Sequence, residues 1–224
     1  RLHLTGLIAH WSEVAGEPWL ERLIKYEEEE RSRRGLERRL KNARLGAFKP
    51  VADFDWNWPD KIDREAIDDM FQLDLLGNGA NVVLIGPNAT GKTMLSKNLG
   101  YQAVLRGETV LFTTASEMLN ELAAQNSGAS LTRRLRRYTQ PRLLIIDEVG
   151  YLSFDDKAAD LLYEVVNCRY ERKPLIVTTN RPFKEWNEVF SNSSCVTALV
   201  DRLTHRAEIY RIEGESYREK EAKE

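Results

Sequence analysis

Eight residues limit most of what this chain can fold into. Gly86-Pro-Asn-Ala-Thr-Gly-Lys-Thr93 follows directly on the apolar run Asn81-Val-Val-Leu-Ile85 and leads directly into Met94-Leu-Ser-Lys-Asn-Leu-Gly-Tyr-Gln-Ala-Val-Leu105. A strand, a glycine-bounded loop and a helix in that order, with the spacing G-x-x-x-x-G-K-[ST], form a phosphate-binding loop. The N–H groups of such a loop make a concave nest for phosphate oxygens, and the helix N-terminus adds partial positive charge. Gly86, Pro87, Asn88, Ala89, Thr90, Gly91, Lys92, Thr93 and Met94 are therefore the expected nucleotide-contacting residues. Lys92 is expected to reach the outer phosphates and the Thr93 hydroxyl to hold Mg²⁺. Position 89 is often glycine in these loops. Ala89 tolerates a positive φ poorly, so a somewhat reshaped loop is expected.

A strand and crossover-helix unit of this kind needs a parallel sheet to belong to, and the downstream sequence supplies one. Short apolar strands are expected at 81–85, 109–114, 143–146, 174–179 and 208–212, alternating with helices at 117–125, 131–138, 156–172 and 198–205. Such alternation gives an α/β fold, a five-stranded parallel sheet covered by helices on both faces. Ser116 is the expected cap of the 117–125 helix. Ahead of the sheet, residues 51–62 read as a linker, and a helix is expected over 63–76, stopped by Gly77. The aromatics of Asp53-Phe-Asp-Trp-Asn-Trp-Pro59 have two readings, packing on the domain edge or stacking on a nucleotide base. Residues 1–50 read as a small all-helical domain, with Leu4, Leu7, Ile8, Trp11, Val14 and Ala15 on one stripe. Its second helix opens at Pro18 and carries the i, i+4 pairs Glu27–Arg31, Glu29–Arg33 and Glu30–Arg34. The tail 215–224 is charged and is expected to fray.

Charge is locally biased even though the formal net charge is only −2. Eight Lys/Arg lie between Arg31 and Lys49 against the single acid Glu37. That stretch is either a salt-bridged, solvated face or a surface for nucleic-acid phosphates. Residues 51–80 are strongly acidic by contrast. The helix at 131–138 carries Arg133, Arg134, Arg136 and Arg137 and no acid. Four like charges on two turns repel one another, so this helix is expected to meet an anion, with little base stacking beyond Tyr138. No apolar run approaches the ~20 residues of a membrane helix, and no signal-peptide pattern opens the chain. The chain begins at Arg1 rather than Met, read as a few residues missing ahead of it. Cys168 and Cys195 lack metal-ligand spacing, and a reduced cytoplasmic setting is expected. The three histidines suggest neither zinc nor a nucleophile triad.

The second nucleotide signature is Leu143-Leu-Ile-Ile146 running into Asp147-Glu148, 55 residues after Lys92. The strand end places Asp147 beside the phosphate loop, where it can bind Mg²⁺ or its water, and Glu148 is placed to orient or deprotonate an attacking water. Asn180, ending the neighbouring strand, either holds that water and senses the γ-phosphate or caps the next turn. Arg202, in Asp201-Arg-Leu203, either stabilises transition-state charge from a neighbouring subunit or pairs with Asp201.

GPNATGKT, LLIIDEVGYL at 143–152, IVTTNRPFKEW at 176–186, VDRLTHRAEIYRIEGESYR at 200–218 and ERSRRGLERRLKNARLGAFKPVADFDW at 30–56 together resemble the AAA+ ATPases of the IstB/DnaC group. Within that group they are most similar to IstB-type transposition helpers, and the resemblance spans nearly the whole chain. It implies a P-loop AAA+ core over 63–224 that hydrolyses ATP with Mg²⁺. Asp147 would be the metal residue, Glu148 the catalytic glutamate, Asn180 the sensor and Arg202 a finger acting in trans. It further implies a homo-oligomer with ATP at its subunit interfaces, assembled on duplex DNA that the arginine helix faces, remodelling that DNA and recruiting or stimulating a transposase. The domain over 1–50 would contact partner, neighbouring subunit or DNA. A DnaC-like helicase loader is the alternative, since the core motifs are shared. A small-molecule P-loop kinase is a third reading, and the arginine helix argues against it.

Overall fold

The structure, a computed structural model, describes residues 4–151, 155–190 and 194–221. Leu152 of the quoted 143–152 run and the last residues of the charged tail lie outside these. The chain divides into two compact units, residues 1–38 and 39–224.

In the first unit, the expected single opening helix is two short ones, α1 (Thr5–Ala9) and α2 (Trp11–Val14), which meet at His10. Neither buries a residue fully: Leu4, Leu7 and Val14 of the stripe are half-buried, while Ile8, Trp11 and Ala15 are exposed. The long α3 (Pro18–Ala43) follows. Its charge ladder forms largely as the spacing dictates, with Arg31 on Glu27 at 2.8 Å and Arg34 on Glu30 at 2.5 Å. The expected Glu29–Arg33 pair does not form. Arg33 turns to Glu30 and Glu37, which flank it one turn either side, and Lys25 lies 4.0 Å from Glu29.

The second unit begins earlier than the expected boundary at residue 50. Ala43, Leu45 and Phe54 are buried in it, and Asn98 pins the 47–53 stretch by accepting from Val51 N–H and donating to the Lys49 carbonyl. Residues 51–62 are thus part of the nucleotide-binding unit rather than a spacer. The expected helix over 63–76 is split into α4 (Arg64–Met70), capped by Asp63, and α5 (Leu75–Asn78), because Leu73 takes φ +60° between them. Then follow β1 (Asn81–Ile85), α6 (Lys92–Leu105), β2 (Val110–Thr114), α7 (Ala115–Ala123) and α8 (Gly128–Thr139). The chain goes on through β3 (Leu143–Val149), α9 (Asp156–Arg169), β4 (Leu175–Thr179), α10 (Trp186–Val189), α11 (Val196–Thr204), β5 (Ala207–Arg211) and α12 (Tyr217–Glu221). Two caps differ from the sequence reading. Thr114, not Ser116, caps α7, and Ser127 starts α8 one turn early through a reciprocal hydrogen-bond pair with Ser130.

The five strands are parallel and ordered β2-β3-β4-β1-β5. Because β4 is inserted between β1 and β3, the carboxyl ends of these three strands lie side by side. Ligands bind at such a reversal of strand order. Alternation of side chains assigns the two faces. Val83, Ile85, Leu111, Leu144 and Ile146 join the core beneath α7, α9 and α11. Ile145 and Val110 point the other way, to α6, where a Cβ on Gly100 would lie 2.7 Å from the Ile145 side chain.

The opposite ends of β3 and β4 are fixed by one buried cation. Arg169, 1 % exposed, donates to the carbonyls of Tyr138, Pro141, Arg142 and Pro174 at 2.8–2.9 Å. These residues lead into the two strands whose far ends carry Asp147 and Asn180. Arg169→Met keeps apolar bulk but leaves those carbonyls without their donor, at about 1–3 kcal/mol for each that stays dry. Urea unfolding is expected to give a loss of at least about 3 kcal/mol, and a loss under about 1 kcal/mol would contradict this account.

Candidate nucleotide-binding site

The phosphate loop leaves β1 and is closed on itself. The Thr90 hydroxyl donates to the Pro87 carbonyl at 2.9 Å, and Gly91, at φ +92°, forms the N-cap of α6. A side chain at Gly91 is excluded twice, by that backbone angle and by Phe54, whose ring edge would sit 2.3 Å from a Cβ there. Ala89 corrects the sequence expectation. It takes φ +57°, the left-handed conformation a glycine would adopt, so the loop is strained rather than reshaped. The left-handed region costs a non-glycine residue about 1–2 kcal/mol.

Lys92, almost wholly buried, donates to the Gly86 and Pro87 carbonyls at 2.7 and 2.5 Å. Burial pushes its ammonium down to about 8, against the opposing pull of Asp147 and Glu148. One residue on, the Thr93 hydroxyl lies 2.9 and 3.1 Å from the two Asp147 carboxylate oxygens. A hydroxyl from the start of α6 and a single carboxylate from β3 fit a hard divalent cation that completes its shell with phosphate and water. Among the described residues no cluster of three acidic, His or Cys side chains offers a fuller protein site.

A bulge between Ile146 and Val149 separates the two acids of β3. Asp147 stays buried, whereas Glu148 turns outward at φ +62°. Thr178 on β4 holds both orientations. Its hydroxyl donates to Asp147 at 2.5 Å and accepts the Glu148 N–H at 3.0 Å. Sequence reasoning missed Thr178, because one threonine inside Thr178-Thr179 carries no signal until the register is known. Asn180 follows. The turn after it is tied by Thr179, whose hydroxyl accepts the Arg181 N–H. The Asn180 Oδ1 is buried and has no hydrogen-bond partner, although the residue borders the cavity.

That cavity, about 470 Å³, is lined by the loop, Glu148, Thr178, Asn180 and two segments the sequence left peripheral. The first is 47–59, with Phe48, Phe54 and Trp58 on its wall. Phe54 packs into the core at the loop, while Trp58 meets Tyr217 edge-on at 6.0 Å. The second is the chain after β5. Over its described residues it does not fray but forms α12 against the loop, with Tyr217 N–H on the Ala89 carbonyl at 3.1 Å. Trp58 Nε1 donates to the Glu215 carbonyl, Lys220 pairs with Asp55 at 3.0 Å, and Arg218 borders the cavity.

A match to the IstB-like ATP binding protein family runs from residue 7 to residue 224. This chain belongs to that family. It is 34% identical over 230 residues to a protein of insertion sequence IS5376 from Geobacillus stearothermophilus, covering 99% of this chain and 92% of that one. It is also 38% identical over 191 residues to a protein of insertion sequence IS21 from Pseudomonas aeruginosa, covering 85% and 72%. The fold is that of P-loop AAA+ proteins. DnaI superposes with a TM-score of 0.63 at 16% identity over 75% of this chain and 92% of that one. AMPPCP-bound DnaA from Aquifex aeolicus does so with 0.61 at 20% identity over 76% and 51%. The IstB family member described here is thus an ATP-binding AAA+ protein, and none of its described helices is long and apolar enough to cross a membrane.

The remaining expected site residues lie away from this cavity. Arg202, on α11, is absent from its lining, and among the described residues neither it nor Asp201 forms an ion pair. The arginines of α8 divide by face. Arg134 and Arg137 pair with Glu121 on α7 at 2.7 and 2.5 Å, and the Tyr138 hydroxyl donates to the same carboxylate. Burial, helped by Glu121, pushes that phenol well above its ordinary range. Part of the anion the sequence demanded is therefore internal. Arg133 and Arg136 are exposed and make no ion pair among the described residues.

Two outcomes follow from the loop. Nucleotide affinity, followed with a fluorescent ATP analogue, is expected to fall as pH rises through about 8. Lys92 loses its proton there, and binding a triphosphate requires it back, so the slope approaches about tenfold per pH unit; a flat profile to pH 9 would exclude it. Ala89→Gly is expected to stabilise the protein by up to about 1 kcal/mol in thermal unfolding by removing left-handed strain, and a lower Tm would count against strain at that position.

Proposed function

We propose that this protein is a Mg²⁺-dependent ATPase that assembles as a homo-oligomer on duplex DNA, remodels it, and recruits or stimulates a transposase. The observation that carries the reading is the division of the ATP machinery. Lys92, Thr93, Glu148 and Asn180 line one cavity, with Asp147 bonded to Thr93 beside it, while the Arg202 guanidinium, which has no ion pair among the described residues, lies outside it. A site complete except for its last cation is what ATP bound between subunits requires, with Arg202 coming from the neighbour. Mg²⁺, when bound, would supply neutralisation of the phosphate charge. Thr93 and Asp147 would hold it, Glu148 would take the proton of the attacking water, and Asn180 Oδ1 would accept from that water. ATP occupancy would then control assembly, and hydrolysis would release it.

The DNA reading rests on α8. Arg133 and Arg136, i and i+3 on one face, point to solvent, so they are the pair we assign to phosphates. Arg134 and Arg137 serve mainly to hold α8 on α7 through Glu121. Contacts of this kind bind backbone with little sequence readout. The transposase partner is inferred from the insertion-sequence relatives, and the helical unit is the piece we assign to it.

The test is DNA binding in the presence of a non-hydrolysable ATP analogue over a range of salt. Arg133→Ala/Arg136→Ala is expected to make the log K against log salt slope shallower by about 2 per protomer. Arg134→Ala/Arg137→Ala should instead lower Tm and leave the slope nearly unchanged. An unaltered slope in the first variant would remove α8 from the DNA surface. Exclusive preference for single strands would favour helicase loading over transposition.

A further inference from the structure

Arg202 is the cation that the proposed shared site needs, yet among the described residues no carboxylate pairs with it. Its Nη1 is buried and has no hydrogen-bond partner. Two rings lie against the guanidinium instead, Tyr163 on α9 and Tyr170 just past its end, with the carbon at its centre 4.6 Å from the centroid of Tyr163 and 5.9 Å from that of Tyr170. Residue 170 follows residue 163 by seven positions, about two helical turns, and α11, which carries Arg202, packs on α9. Tyr170 is itself fixed, its hydroxyl 3.0 Å from His205 Nδ1, just past the end of α11.

We propose that Tyr163 and Tyr170 are positioning residues that hold the Arg202 guanidinium by their ring faces and present it, still fully charged and with donors unspent, to the nucleotide of the next subunit. A carboxylate partner would fix an arginine equally well. It would also occupy the N–H fork and cancel the charge that a transferring phosphoryl group needs. An aromatic face attracts the cation through its quadrupole and takes no N–H donor. The rings also limit the rotamers of a long side chain before the neighbour arrives, which lowers the ordering cost paid at assembly. Leaving Nη1 dry and unpaired is costly within one protomer, and such an atom needs a reason. This inference rests on Arg202 acting in trans.

The experiment uses the full chain assembled on duplex DNA and compares kcat, KM for ATP and assembly by light scattering. Tyr163→Leu, which keeps apolar volume but no ring face, is expected to lower kcat about tenfold with KM and assembly within about twofold. Tyr163→Phe should restore wild-type turnover, because the ring and not the hydroxyl does the holding. In an Arg202→Ala background, Tyr163→Leu should cost nothing further. Should the leucine variant fail to fold, phenylalanines of increasing fluorination at 163 keep the volume and weaken the quadrupole, and kcat is expected to fall with each fluorine. Wild-type turnover in Tyr163→Leu alongside an inactive Arg202→Ala, an equal loss in both backgrounds, or no response to fluorination would overturn the proposal. Full activity in Arg202→Ala would instead overturn the shared-site reading itself.

Discussion

The carboxylate of Asp147 is the junction on which this site depends. It lies near the carboxyl end of β3, accepts from Thr93 at the start of α6, and accepts from Thr178 near the end of β4. Three elements far apart in the chain are thereby brought to one point at the carboxyl edge of the sheet. The same threonine hydroxyl receives the Glu148 amide, so the buried acid and the exposed acid are set by a single atom. Between the buried acid and the exposed one the strand is irregular, with a bulge at 146–149 and a left-handed Glu148. Strain of this kind survives only where the surroundings over-determine it.

Much of this could be read in the residues before any fold was seen. The loop and its flanks fix a strand-to-helix turn, and an apolar run ending in Asp-Glu fixes a second strand end. Their spacing left room for one intervening strand, and so for the parallel sheet. Local chemistry could not deliver what depends on register or on distant partners. Thr178 matters only because β4 lies between β1 and β3. The Arg134 and Arg137 charges lost their apparent freedom to Glu121, which sits one helix away with no sequence cue to pair them. Arg33 had acids on both sides, and i, i+4 spacing alone does not choose among them.

The ends of the nucleotide unit were the least legible. Asp53-Phe-Asp-Trp-Asn-Trp-Pro59 and Glu215-to-Lys220 look like linker and tail by composition, since both are polar and lack long apolar runs. Each is ordered by the other, through Trp58 with Glu215 and Tyr217 and through Asp55 with Lys220. Such mutual ordering is a tertiary effect, invisible to any window of neighbouring residues.

The hydrogen bond from Tyr217 N–H to the Ala89 carbonyl turns the stretch between β5 and α12 into a ruler. Arg211 is held in register with Ile85, Ile212 N–H is bonded to the Ile85 carbonyl, and the backbone passes so close to Gly86 that a Cβ there would meet the Ile212 carbonyl at 2.2 Å. Only a fixed number of residues can then reach from the sheet edge to the crest of the phosphate loop. Length, rather than side-chain identity, is the property of residues 212–216 that evolution or design is least free to alter.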